Sequence, residues 1–194
     1  MSLDMQVRLR AFGWLRDRMA EHGDVLPRTM LAEGFTFEGD RVPLLGPQGI
    51  FKPRLCELPL SITTSPNGPY RDAVGSDGLI EYRYRGTDPA HPDNTGLRRA
   101  MASQTPLTYF VGIDPGRYAA VLPAFIVGDD VGALTFKVQA DDLDLTSVGG
   151  ELRVAVAEDP GDARRRYITT SVQRRLHQAA FREHVLRAYT GACA

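Results

Sequence analysis

A chain of 194 residues, 43% hydrophobic and 24% charged, has the composition of an ordinary globular protein with enough length to bury a real core. No run of eighteen apolar residues occurs, so no transmembrane helix is expected, and arginines and acids interrupt Met1–Met19 too often for a secretory leader. A net charge of −1 argues against a chain that binds polyanions over its whole surface, though it leaves room for local asymmetry.

Two cysteines, Cys56 and Cys193, cannot form a disulfide framework, which fits a reducing, cytoplasmic setting. Lys52 and Lys137 are the only lysines among 23 basic residues; the rest are arginine. A GC-rich genome accounts for such a bias. The planar guanidinium fork also suits phosphate and guanine recognition better than an ammonium does.

In chain order, Leu3 to His22 predicts an amphipathic helix. Met5, Leu9, Phe12, Leu15 and Met19 recur at helical spacing, and Gly23 supplies the stop. "DVLPRTML" predicts a turn and a second short helix ending near Gly34. "FTFEGDRVPLL" predicts a strand pair turning around Gly39-Asp40, and "GPQGIFKPRL" an irregular connection.

From Leu58 to Val138 the pattern is that of compact β structure. "PLSITTS" reads as a strand broken at Pro66-Asn67-Gly68. In "LIEYRYRG", Ile80, Tyr82 and Tyr84 fall on one face, and Glu81, Arg83 and Arg85 on the other. "TGLRRAMASQ" predicts a short helix capped by Asn94 or Thr95. Three apolar strands follow, with turns expected at Asp114-Pro115-Gly116 and Gly128-Asp129-Asp130.

The expected fold class is α+β, a small curved barrel-like sheet with helices flanking it at both ends. Three regions are expected: a helical and β-hairpin region over 1–52, the barrel over 53–160, and a basic helix over 161–194. Between Arg164 and Arg187 that last region carries seven arginines against a single acid, Glu183.

The chemistry of catalysis is poorly represented. Four histidines are scattered, neither cysteine has a nearby partner, and no closed zinc site can be assembled by spacing. There is no G-x-S-x-G, and "GIDPGRYAA" has too few glycines for a dinucleotide fingerprint. Asp129-Asp130 and Asp141-Asp142 read as solvated turn acids. No catalytic residue and no cofactor are expected for this chain.

One stretch asks for more. In "GPYRDAVGSDGLIEYRYRG" a turn carries Gly68, Pro69, Tyr70, Arg71 and Asp72, and the following strand carries Tyr82 and Tyr84. Each tyrosine is individually well explained as a half-buried strand residue. Together, Tyr70 and Tyr84 can hold a flat heteroaromatic ring while Asp72 accepts from its edge. Arg71, Arg83, Arg85 and Arg98 are candidates for phosphate contacts, which position a duplex without reading it.

That stretch, followed by "DNTGLRRAM" and "TPLTYFVGIDPGRY", resembles the SRA (SET- and RING-associated) domain pattern. SRA domains are PUA-like barrels that flip a modified cytosine into a pocket between two tyrosines. The resemblance implies that Tyr70 is the turn tyrosine and Tyr84 the strand tyrosine, with Gly86 the glycine after it. Asn94 and Leu97 match the Asn-x-x-Leu element. Where the family carries a second acid after the turn tyrosine, this chain has Ala73, so the identity of the recognised base is left open.

The segment "RRLHQAAFREHVLRAYTGACA" resembles the lead-in helix of restriction-type HNH endonucleases, in which it runs into a zinc knuckle and a His-Asn-His core. The resemblance implies a DNA-recognition part of a modification-dependent HNH restriction endonuclease, acting in bacterial defence. Cys193 would be the first knuckle ligand. Zinc and a catalytic divalent metal would belong to the core beyond it, and this polypeptide alone should not cleave. The expected partner is double-stranded DNA carrying a modified base or backbone, with a homodimer as the assembly and no membrane. Two other readings stay open: a PUA-like RNA-binding or RNA-modifying protein, and a dimerisation module using Met5, Leu9, Phe12 and Trp14.

Overall fold

The computed structural model describes residues 1–65, 73–74, 79–140 and 181. The chain starts with α1 (Leu3–His22), β1 (Val25–Pro27), α2 (Arg28–Glu33), β2 (Phe35–Phe37), β3 (Asp40–Val42) and β4 (Ile50–Phe51). It continues through β5 (Ser61–Thr64), β6 (Ala73–Val74), β7 (Ile80–Arg83), α3 (Pro92–Ala102), β8 (Leu107–Asp114), β9 (Arg117–Asp130) and β10 (Thr135–Ala140). This is an α+β fold with few helices around one curled, open sheet.

Along the sheet the order is β4-β5-β8-β9-β10-β7-β6, with β1 pairing the start of β9. All neighbours are antiparallel except β5 and β8, which run parallel with Ser61 opposite Thr108 and Thr64 opposite Val111. A parallel pair needs a crossover, and the chain between Thr64 and Leu107 supplies it through β6, β7 and α3. The first 52 residues therefore enter the same sheet through β1 and β4, while β2 and β3 form a separate hairpin.

The curl brings β7 back toward β5. Tyr82 projects across the concave side, and its hydroxyl donates to the Thr63 carbonyl at 3.4 Å. Gly49 is what permits this: a Cβ there would lie 2.9 Å from the Tyr82 hydroxyl and 3.3 Å from the Thr63 carbonyl. Inside the curl lies one core, in which Ile62, Leu97, Leu107, Val121 and Phe136 pack against Tyr82 and Tyr109.

A second core lies on the other face of β8 and β9. The alternation of a strand separates the two: Leu107 and Tyr109 point into the curl, whereas Phe110 joins Leu60, Tyr118 and Ala120 beneath α1. Burying a side chain such as Phe110, fully enclosed here, stabilises by about 1.5–3 kcal/mol. Gly34 closes the α2–β2 corner at φ +68, and a Cβ there would fall 2.0 Å from the Val42 carbonyl oxygen, so only glycine fits.

The limits of α1 are those the sequence predicts, but its buried face differs. Asp4, Val7, Arg8, Ala11, Phe12 and Leu15 are buried, whereas Met5, Leu9 and Met19 are half-buried. Arg8 is 0% exposed. Its guanidinium donates to Asp4 and to the carbonyls of Leu58 (2.9 Å), Pro59 (2.7 Å) and Pro106 (2.9 Å). Asp4 in turn accepts from the backbone N–H groups of Glu57 (2.7 Å) and Leu58 (3.1 Å). The pair thus fastens α1 to the segments leading into β5 and β8.

Two other expectations are corrected. The β2–β3 turn has Glu38 and Gly39 at its centre, both at positive φ, since Phe37 pairs with Asp40. The β9–β10 hairpin does not turn at Gly128-Asp129-Asp130. β9 runs through Asp130, which pairs with Thr135, and Val131–Leu134 form the turn.

Candidate nucleic-acid interface

β7 carries the described half of the candidate pocket. Its alternation is the one the sequence predicts: Ile80, Tyr82 and, just past the strand, Tyr84 are buried in the inner core, and Arg83 is exposed on the outer face. β6 flanks β7, with Ala73 opposite Glu81 and Val74 opposite Ile80. Gly68, Pro69, Tyr70, Arg71 and Asp72, which immediately precede β6, lie outside the described residues, as does Cys193.

Tyr84 is an interior residue, 7% exposed, whose ring stacks on Phe136 of β10 with centroids 4.5 Å apart. Its hydroxyl donates to Asp129 and accepts from Arg98 Nη2 at 2.8 Å. Arg98 Nε binds the other Asp129 oxygen at 2.6 Å, and its Nη1 donates to the Pro89 carbonyl at 2.6 Å. The guanidinium carbon lies 5.2 Å from the Tyr84 centroid and 5.9 Å from that of Phe136, hence beside the stacked pair rather than opposite Phe136. Phe136 thus covers one face of Tyr84, and the ring as a whole is buried.

Electrostatics reinforce the cluster. Burial pushes the Tyr84 phenol above its ordinary range, and the neighbouring Asp129 carboxylate, which accepts its proton in a hydrogen bond, adds to that. The same carboxylate, followed by the Tyr84 hydroxyl, raises the already high value of Arg98. Arg98 therefore stays a cation and Tyr84 a neutral phenol across physiological pH.

α3 presses this arrangement into place. Pro92 occupies its first turn, where a missing N–H costs nothing, and His91 caps it by accepting the Asp93 N–H on Nδ1 at 3.1 Å. Neither Asn94 nor Thr95 is the cap, because the helix starts three residues earlier than predicted. Asn94 is instead wholly buried, and its side chain closes the loop after Tyr84. Its Oδ1 accepts from Arg85 N at 2.9 Å, while Nδ2 donates to the carbonyls of Arg85 (3.1 Å) and Asp88 (2.9 Å).

The candidate phosphate-binding arginines sit in different surroundings. Arg98 is bound to Asp129, and Arg85 is bound to Asp93 and to Gln48 of the segment before β4. Arg83 projects outward on the strand face that also holds the Lys137–Glu81 ion pair, 2.7 Å between charged atoms. Asp129, read from the sequence as a turn acid, bonds both Tyr84 and Arg98 in the cluster. Nothing in "IVGDD" marks it, since its role depends on two partners brought in from β7 and α3. His91 had a legible signal: a polar residue before Pro-Asp at the head of a helical stretch.

Comparison with protein-family models, with curated protein sequences and with solved structures gave no match. Among the described residues, no group of three or more His, Cys, Asp or Glu side chains could hold a metal ion. No described helix is long and apolar enough to cross a membrane.

Proposed function

We propose that this chain is the recognition part of a modification-dependent HNH restriction endonuclease, an SRA/PUA-like module that senses a modified base or backbone in duplex DNA. One observation carries the reading furthest. Two of the elements by which the sequence resembles SRA domains, the Tyr84-Arg85-Gly86 strand end and Asn94-x-x-Leu97, are tied together by the Asn94 side chain, which bonds Arg85 twice and the Asp88 carbonyl once. That local tie supports the reading.

In this reading Tyr84, held by Phe136, Arg98 and Asp129, is one tyrosine of the pocket, and Tyr70 is the other. Arg83 and Arg71 contact phosphate. Arg98 shapes the loop over residues 85–91 from behind. Zinc and a catalytic metal would serve the nuclease core that the resemblance implies. No cleavage step runs through the residues described here.

The test is a fluorescence-anisotropy titration of duplexes bearing methylated, hydroxymethylated or glucosylated cytosine, or phosphorothioate, against an unmodified duplex at physiological salt. At least one modified duplex is expected to bind more tightly. Equal affinity for all of them removes the sensing claim.

A further inference from the structure

The loop beside Tyr84 contains a nitrogen with two competing partners. His91 Nδ1 accepts the Asp93 N–H at 3.1 Å, and the same atom lies 4.0 Å from Asp93 Oδ2. An imidazole nitrogen can accept only while it carries no proton. The observed cap therefore requires neutral His91 with its proton on Nε2. Protonation turns Nδ1 into a donor, which cancels the cap and draws it to the Asp93 carboxylate 4.0 Å away.

That carboxylate is already engaged, since Arg85 Nη1 donates to Asp93 Oδ2. The side chains of His91, Asp93 and Arg85 are 32%, 26% and 36% exposed, so protons and ions reach all three. Among the described residues, four charged groups lie around His91. Asp93 lies on its own helix, and Asp88, on the preceding loop, accepts the His91 N–H through its main chain at 3.2 Å. Arg98, two turns into α3, is held to the Pro89 carbonyl, and Arg85 stands at the end of β7.

We propose that His91 is a proton-operated switch on Arg85. Neutral His91 caps α3 and leaves Asp93 to Arg85; protonated His91 takes a share of Asp93 and loosens Arg85 from it. Histidine is the side chain type whose ordinary charge change lies nearest neutrality. Resting on the DNA-recognition reading, the consequence is that mild acidity frees a cation beside the Tyr84 strand and strengthens the grip on phosphate.

The test begins with the free protein. Two-dimensional NMR of the imidazole nitrogens is expected to show the Nε2–H tautomer for neutral His91. The Asp93 amide proton and the Arg85 Nε–H should shift along the His91 titration curve, and Asp93 amide exchange should quicken by about ten-fold on protonation. In His91→Asn, which keeps a capping acceptor that cannot titrate, these shifts should vanish. A neutral Nδ1–H tautomer, or Asp93 and Arg85 signals indifferent to the His91 titration, overturns the switch. Separately, an unmodified duplex should bind wild type more tightly at pH 6 than at pH 8, and His91→Asn should show a smaller change. Equal pH dependence in both proteins overturns the link to DNA. Failure of either to bind DNA at all sinks the recognition reading, while NMR still decides the switch.

Discussion

Arg98 and Asp129 meet across the α3–β9 contact at 2.6 Å, with the Tyr84 hydroxyl bonded to both. Arg98 is 27% and Asp129 12% exposed, so the pair is shielded enough for its hydrogen bonds to count toward stability. This relationship makes Arg98 an internal clamp between α3 and β9.

Arg98→Ala should therefore destabilise the fold by about 1–3 kcal/mol, the range for hydrogen bonds to charged groups. It leaves the Tyr84 hydroxyl and Asp129 without a shared partner. Asp129→Asn should cost less, since an amide retains one acceptor for Arg98. Urea denaturation of the two variants gives the comparison.

Arg83→Ala should act on binding. Its side chain is exposed on the outer face of β7, where it can meet phosphate. Affinity for every duplex should fall alike, and the salt slope of binding should drop by about one. A change in preference among modified duplexes would contradict a phosphate role.

Arg8→Ala should be severe. It removes the partner of a nearly buried carboxylate and leaves three carbonyls without their donor, a loss of about 3–5 kcal/mol. The double variant Arg8→Met with Asp4→Leu should lose less than the two single changes added together, because no buried charge is stranded. A double-mutant cycle in urea measures the difference.

Acid should act through Asp4. Burial alone would raise its value, but hydrogen bonding and charge from Arg8, with the Glu57 and Leu58 N–H groups, outweigh this and hold it below the ordinary aspartate range. Its folded value is thus depressed relative to the unfolded chain. Its contribution is complete above about pH 3.9, the unfolded value, and is lost as pH falls through the folded one. Asp4→Asn should be less stable than wild type at pH 7, and the gap should close below about pH 4. Thermal unfolding across that range reads the effect.

Cys56 should be chemically quiet. It is buried, and desolvation pushes its thiol to about 11. In a Cys193→Ser background, labelling by a thiol reagent at pH 8 should be slow in the folded protein and rapid in urea.

Much of the fold was legible because single-element signals were clean. Gly23 ends α1 where predicted, and the Ile80, Tyr82, Tyr84 alternation survives in the structure because one face of β7 is wholly inside. What could not be read depends on partners distant in sequence. The buried stripe of α1 has Arg8 and Asp4 at its centre, and any hydrophobic count rejects them. Only the carbonyls of Leu58, Pro59 and Pro106 make that face tolerable. The parallel β5–β8 pairing joins strands separated by a long crossover, and the role of Asp129 exists only once β7 and α3 have arrived. At the site, the tyrosines were identifiable as aromatic. That Tyr84 faces inward and is bound to Asp129 and Arg98 is a property of the packed sheet.

The most direct test of the central claim compares wild type with Tyr70→Ala in the ratio of dissociation constants for unmodified and modified duplexes, at about 0.15 M salt. Recognition through the Tyr70–Tyr84 region predicts a ratio well above one for wild type. It predicts a collapse toward one in Tyr70→Ala, at a cost of about 1–3 kcal/mol for the lost stack and with unfolding unchanged. A wild-type ratio of one for every modification, or a preference that survives Tyr70→Ala intact, would contradict the account.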